Sequence, residues 1–274
     1  DNMSINLINK NGLLLLGCGK MGSALLKGWL ADGVCPEAIN IVEPNPSKWL
    51  LNVPEISLNK NLPDKAAVVV LAVKPQMMKV ALKKILKFAN TETIFLSIAA
   101  GSTIKMFEKE LGQSSIIIRA MPNTPASVNK GITAIIGNKL TTEDNLVLSE
   151  NLLNAVGKTL RLNNEEQMNA VTAISGSGPA YVFYLIESLA KAGEAQGLSP
   201  ELSMELSRAT IVGAGALTEL TLELPSQLRV NVTSPGGTTQ AALEILMDDK
   251  IGLAPLINQV VNAATLRSKQ LGKQ

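Results

Sequence analysis

Three glycine-rich stretches hold the residue types best suited to chemistry. Gly17, Gly19 and Gly22 stand at G-x-G-x-x-G spacing, directly after Leu13–Leu16 and just before an apolar helical pattern, Ser23–Leu30. In such a strand–turn–helix the first glycine makes the tight turn and the second lets backbone approach a pyrophosphate. The third lets the helix pack closely on the strand. Lys20 and Met21, between the last two glycines, belong to the same cofactor loop, and the helix N-terminus behind them offers N–H groups to anionic oxygens. Glu43 ends the next apolar run, at the distance where an acid accepts from ribose hydroxyls and disfavours a 2′-phosphate. The second and third stretches are Ser175-Gly-Ser-Gly-Pro-Ala-Tyr181 and Thr233-Ser-Pro-Gly-Gly-Thr-Thr239. Both mix hydroxyls with glycines ahead of a helix, which suits a small carboxylate. Either loop alone reads equally as a capped helix start. Two of them beside a dinucleotide loop favour a small acid as substrate.

Composition narrows the chemistry further. The 274 residues contain no histidine, which excludes histidine-dependent dehydrogenases, Ser-His-Asp hydrolases and most zinc sites; no metal site is expected. Proton transfer must use Lys, Asp, Glu, Tyr, a hydroxyl or water. A net charge of +2 makes no case for nucleic acid or a membrane surface. Two cysteines, Cys18 and Cys35, cannot build a disulfide framework and suit a reducing compartment. Leu16-Gly17-Cys18 has the look of a lipoprotein cleavage site, but the apolar run before it is short and Asp1–Asn11 lacks a basic start. Ala209–Leu217, the longest strongly apolar stretch later on, is far below the ~20 residues of a membrane span. The expectation is a soluble, cytoplasmic protein.

The elements that must position these residues follow from periodicity. Strands are expected at Leu13–Leu16, Ile39–Glu43, Ala67–Val73, Thr93–Ile98 and Ser115–Arg119. Two more, Gly131–Gly137 and Lys158–Leu162, flank a helix at Glu143–Ala155, and Gln76–Phe88 has helical spacing. Strands alternating with helices predict an α/β, Rossmann-like, doubly wound parallel sheet over residues 1–164. Ala72-Val73-Lys74-Pro75, Ala99-Ala100-Gly101 and Met121-Pro-Asn123-Thr-Pro125 then fall at the carboxyl ends of strands, where open α/β sheets bind ligands.

From residue 165 the strand signals stop. Glu165–Ile174, Ala180–Gln196, Pro200–Leu222, Thr239–Met247 and Pro255–Leu271 read as helices, giving an all-α C-terminal domain over 165–274. Tyr181–Ala192 and Arg208–Leu220 are apolar on most sides. Five helices make a small bundle, so these two are expected to bury surface against another subunit rather than within one chain.

At these residues the chain resembles the pyrroline-5-carboxylate reductase family, nearly end to end. The resemblance rests on Gly17-Cys-Gly-Lys-Met-Gly22, Ala72–Pro75, Ala99–Gly101, Met121–Pro125, Ser175–Tyr181 and Val232–Thr239; the last two are highly specific. It implies that NAD(P)H reduces the C=N bond of 1-pyrroline-5-carboxylate to L-proline. It implies that Ser234, Gly236 and Gly237, with Thr238 beside them, hold the substrate carboxylate, with Ser175 and Ser177 in the companion loop. Thr239 would carry the hydroxyl facing the ring nitrogen. Ala72, Val73, Lys74, Pro75, Ala100 and Asn123 would contact the cofactor. It also implies a homodimer through interlocked helical domains, often assembled into a decamer. Two departures stand out. Many members carry a hydroxyl or basic residue after the second strand, suited to NADP, whereas Glu43-Pro-Asn45-Pro points to NADH; without that preference Asn45 and Ser47 are the 2′-phosphate candidates. Lys20 replaces a commoner Asn.

Three rival readings remain. β-Hydroxyacid dehydrogenases share the glycine start and helical second half, but they need a lysine early in the long central helix. Here none occurs between Gly178 and Lys191. A catalytically silent NAD(P)-sensing or PLP-binding-type regulator has no need of the second pair of loops. A related imine reductase shares the chemistry and differs in substrate.

Overall fold

The structure is a computed structural model that describes residues 2–273. It divides into two compact units. The first runs to Gly176 and includes the residues from Thr265 onward; the second is Ser177–Ala264.

The first unit contains, in chain order, α1 (Asn2–Asn11), β1 (Leu13–Leu16), α2 (Lys20–Ala31), β2 (Ile39–Val42), α3 (Lys48–Leu51), β3 (Ser57–Leu58) and β4 (Val68–Leu71). It continues through α4 (Met78–Lys83), β5 (Ile94–Ser97), α5 (Ile104–Leu111), β6 (Ile116–Met121), β7 (Gly131–Gly137), α6 (Glu143–Leu153), β8 (Gly157–Arg161) and α7 (Gln167–Val171). The sheet order is β3-β2-β1-β4-β5-β6-β7-β8. Successive residues of the apolar strands enter opposite cores. Leu13, Leu15, Val68, Val70 and Leu96 pack with Leu25, Leu26 and Trp29 of α2 and Leu148 and Leu152 of α6. Leu14, Leu16, Val69, Leu71 and Phe95 pack with Met78 and Leu82 of α4 and Phe107 and Leu111 of α5. A strand buried on both faces needs apolar residues at every position, which is why β1 and β4 read as unbroken runs.

The observed elements depart from the sequence reading in several places. The sheet is not wholly parallel: β7 runs antiparallel to β6, and β8 is parallel to β7. Residues 122–130 are too few for the crossover of a dozen or more residues that a parallel return requires. Gln76–Phe88 is not one helix but α4 between 3₁₀ turns at Pro75–Met77 and Leu86–Phe88. Its buried face, Met78, Ala81, Leu82, Ile85 and Phe88, is continuous all the same. Periodicity reports which residues face the core and is nearly blind to whether the turns are α or 3₁₀. The segment before β1 folds as α1, which buries Ile8, and the Asn9 side chain accepts from the Cys35 N–H at 2.7 Å. The short elements α3, β3 and α5 were not expected either.

The second unit holds α8 (Gly178–Ala195), α9 (Pro200–Leu220), α10 (Pro225–Asn231), α11 (Thr238–Leu246) and the start of α12 (Leu253–Leu271). α8 and α9 form a hairpin. Gly193 leaves no room for a side chain beside Ser203, whose hydroxyl donates to the Ala190 carbonyl. Val182, Phe183, Leu185 and Leu189 of α8 and Val212, Leu217 and Leu220 of α9 are exposed in the single chain, and α10 and α11 pack on the hairpin only slightly. No helix among the described residues is long and apolar enough to cross a membrane.

Candidate active site

The glycine loop leaves the carboxyl end of β1 and enters α2. Gly17 has φ +85°, and a Cβ there would lie 2.6 Å from the Ala72 carbonyl oxygen. A Cβ on Gly22 would lie 2.8 Å from the Gly17 carbonyl oxygen. The protein's own packing therefore demands both glycines. Gly19 differs: a Cβ there would meet nothing within 4 Å. Gly19 is the N-cap of α2 and brings no side-chain cap, so the first N–H groups of the helix lack intrahelical acceptors beside an open surface. A bare glycine at an uncapped helix N-terminus is what a pyrophosphate needs for close approach, and these residues fit a dinucleotide cofactor. Lys20 is exposed at the start of α2, and half-buried Met21 packs against the core.

Glu43 lies one residue past β2, beside this loop. Its carboxylate accepts the Cys18 N–H at 2.9 Å and the Asn45 N–H at 3.2 Å. The acid thus braces the glycine loop, a role the spacing did not reveal, and as an acceptor-only group with about four lone-pair directions it retains capacity for a ribose hydroxyl. Asn45 is exposed, and Ser47 is the N-cap of α3, accepting from the Leu50 N–H at 3.1 Å. The buried Cys18 thiol is pushed above its ordinary pKa, first by desolvation and further by the Glu43 carboxylate, against a lowering contact from Ser23.

The other expected cofactor residues gather at the same edge, because β1, β2, β4, β5 and β6 are mutually parallel. The Ala72 N–H bonds the Leu16 carbonyl at 2.7 Å, which places Ala72 next to Gly17. Val73 is half-buried, while Lys74 and Pro75 are exposed at the head of a 3₁₀ turn. Ala100 is exposed after β5. Asn123 follows β6 and spends its side-chain oxygen on the Ile132 N–H at 2.9 Å, so part of its role is to join that loop to β7.

Ser175 lies in a π-helical turn, Thr172–Gly176, that continues α7, and its hydroxyl donates to the Val171 carbonyl at 3.0 Å. Such π turns occur often at functional sites, and one was not legible in the sequence. Within the second unit, Ser177 occupies the N-cap position of α8 yet makes no side-chain capping bond. The other loop turns on Gly236, at φ +69°, and the Gly237 N–H closes it onto the Ser234 carbonyl at 3.0 Å. Gly237 is the N-cap of α11. The first chain-closing bond into the helix is from Ala241 to Gly237, so Thr238, Thr239 and Gln240 present N–H groups with no intrahelical acceptor. Ser234 and Thr238 are exposed and Thr239 is half-buried. Thr239 sits inside the helix rather than at its cap, so its hydroxyl is not the capping group.

Comparison with known proteins matches two stretches of the chain to family models. Residues 165–271 match the family model for pyrroline-5-carboxylate reductase dimerisation, and residues 13–101 match one described as NADP oxidoreductase, coenzyme F420-dependent. The pyrroline-5-carboxylate reductase of Pseudomonas aeruginosa is 36% identical over 96% of this chain and 97% of its own. The solved pyrroline-5-carboxylate reductase of Coxiella burnetii superposes with a TM-score of 0.88 at 35% identity, covering 96% of this chain and 99% of that one. The Plasmodium falciparum pyrroline carboxylate reductase, solved with NADP bound, gives a TM-score of 0.81 at 30% identity over 96% and 99% of the two chains. With its glycine loop, its hydroxyl-glycine loops and relatives that match along almost the full length, this chain belongs to the pyrroline-5-carboxylate reductase family.

Proposed function

We propose that the protein is a pyrroline-5-carboxylate reductase that reduces the C=N bond of 1-pyrroline-5-carboxylate to give L-proline, with a nicotinamide cofactor. The observation that carries this reading is the agreement in sequence, along nearly the whole chain, with reductases of that name. The cofactor is assigned to Gly17–Gly22, Glu43, Ala72–Pro75, Ala100 and Asn123. The substrate carboxylate is assigned to the Ser234–Gly237 turn and the free N–H groups of Thr238, Thr239 and Gln240, with Ser175 and Ser177 as further polar contacts. A carboxylate at a helix N-terminus gains both hydrogen bonds and the favourable end of the helix dipole.

The hydride for the imine carbon comes from the reduced nicotinamide. The protein's own part is to bind and orient. A cyclic imine can be protonated at nitrogen before reduction, so no strong general acid is required, and a chain without histidine can do this chemistry. Reduction of a ketone or aldehyde develops an alkoxide and calls for a better proton donor. The Thr239 hydroxyl is assigned the hydrogen bond to the ring nitrogen.

Glu43 supports a preference for NADH, since a carboxylate there repels a 2′-phosphate. Steady-state kinetics with both cofactors test it: a tenfold preference for NADPH would overturn this assignment and leave Asn45 as the phosphate contact. The open apolar faces of α8 and α9 and the matched dimerisation domain support a homodimer. A decamer as the larger assembly rests on the family resemblance, and a cytoplasmic setting on the two cysteines that form no disulfide framework.

A further inference from the structure

The edge of the sheet beside the cofactor loop contains a clamp that the assignments above leave unused. β3 is only two residues long and pairs in parallel with β2, Asn40 with Ser57 and Ile41 with Leu58. Its last backbone bond runs from the Asn59 N–H to the Ile41 carbonyl at 2.8 Å. At Asn59 the chain turns away in the left-handed region, φ +54°. The ladder does not end there. The Asn59 side-chain oxygen accepts the Glu43 N–H at 2.8 Å, and its amide nitrogen donates to the Glu43 carbonyl at 2.7 Å. A side-chain amide has the same donor and acceptor as a peptide group, so Asn59 adds one more rung where the backbone of β3 can no longer supply it. Asparagine also tolerates the left-handed backbone that this turn requires.

The rung holds Glu43 at both main-chain groups. The carboxylate of the same residue reaches the Cys18 N–H, inside the glycine loop. The chain of contacts runs from Asn59 to the Glu43 backbone, through its side chain, to the loop that takes the pyrophosphate. We propose that Asn59 is a positioning residue for cofactor discrimination: it fixes Glu43 so that its carboxylate stays on the glycine loop and meets the adenosine ribose. This rests on the reading of Glu43 as the ribose acceptor.

Asn59→Gly tests it, because glycine keeps the left-handed turn while removing the clamp. The readouts are dissociation constants for NADH and NADPH by titration calorimetry, and amide hydrogen exchange at Cys18 in the cofactor-free protein. Asn59→Gly should speed exchange at Cys18 and weaken NADH about three- to tenfold, the scale of losing a partly exposed pair of hydrogen bonds, with NADPH affected less. Added to Glu43→Gln, Asn59→Gly should cost little more NADH affinity. Equal weakening of both cofactors, unchanged exchange at Cys18, or full additivity with Glu43→Gln would overturn the proposal. If Glu43→Gln lowers NADH affinity selectively but Asn59→Gly does not, Asn59 alone loses its role. If Glu43→Gln leaves the ratio unchanged, the ribose assignment itself fails, and this inference with it.

Discussion

Glu165 places one carboxylate oxygen 3.0 Å from Nη1 of Arg119 and 2.8 Å from the Ile104 N–H. Arg119, in strand β6, is only 5% exposed, and Glu165 lies just past β8. One acid therefore neutralises a buried guanidinium and satisfies the N-terminus of α5, tying the segment that leads into α7 to the sheet. Removing one partner of a buried pair strands the other charge. Glu165→Ala should lower unfolding stability by about 2–4 kcal/mol in urea titrations. Glu143→Ala, which breaks the exposed pair with Arg161, should cost far less. Equal losses for the two variants would contradict this account of Arg119.

Gly17 and Gly19 are two residues apart and should fail differently. Gly17→Ala puts a Cβ against the Ala72 carbonyl on a left-handed backbone, so it should destabilise the fold by more than about 1 kcal/mol. Gly19→Ala meets no protein atom, so its melting temperature should stay near wild type while NADH affinity falls at least about tenfold. A Gly19→Ala protein that binds NADH normally would show that the open space at α2 is not a cofactor cradle.

The two thiols should separate by reactivity. Cys35 is exposed, whereas Cys18 is buried with its pKa raised by desolvation. At about pH 8 a disulfide reagent should label Cys35 readily and Cys18 at least about tenfold more slowly. The linkage has a definite sign. A thiol whose folded pKa is raised contributes stability below the unfolded value of ~8.5, and loses it as pH rises through the folded value. The melting-temperature advantage of wild type over Cys18→Ala should therefore shrink between about pH 8 and pH 10. A constant gap across that range would contradict the burial assigned to Cys18.

Much of this was legible from residue pattern alone, for a physical reason. Parallel strands covered on both faces must be apolar throughout, so β1 and β4 announced themselves, and the glycine spacing fixed the turn between β1 and α2. What stayed hidden depends on small differences or on register. β3 and α10 are too short to show a period. The π turn at Thr172–Gly176 differs from α-helix only in which carbonyl each N–H reaches. The antiparallel entry of β7 follows from connection length rather than from its own residues. Asn59 carries no signal in the sequence, because its partner is set by the β2–β3 register. Glu43 was found by spacing, but its bond to Cys18 was not.

Thr239 is placed to separate catalysis from capping. The N-cap of α11 is Gly237, and no side chain caps the helix. Thr239→Ala should leave the melting temperature nearly unchanged. If its hydroxyl bonds the ring nitrogen in the transition state, kcat/KM should fall about ten- to a thousandfold with cofactor affinity intact. Unchanged kinetics would move the assignment to Ser175, Ser177 or a bound water.

The reaction itself can be followed directly. Purified protein, NADH or NADPH, and 1-pyrroline-5-carboxylate should show loss of reduced cofactor absorbance that depends on both protein and substrate, with L-proline formed in equimolar amount by mass spectrometry. Protein that binds the cofactor, yet neither consumes it nor forms proline when 1-pyrroline-5-carboxylate is added, would contradict the account.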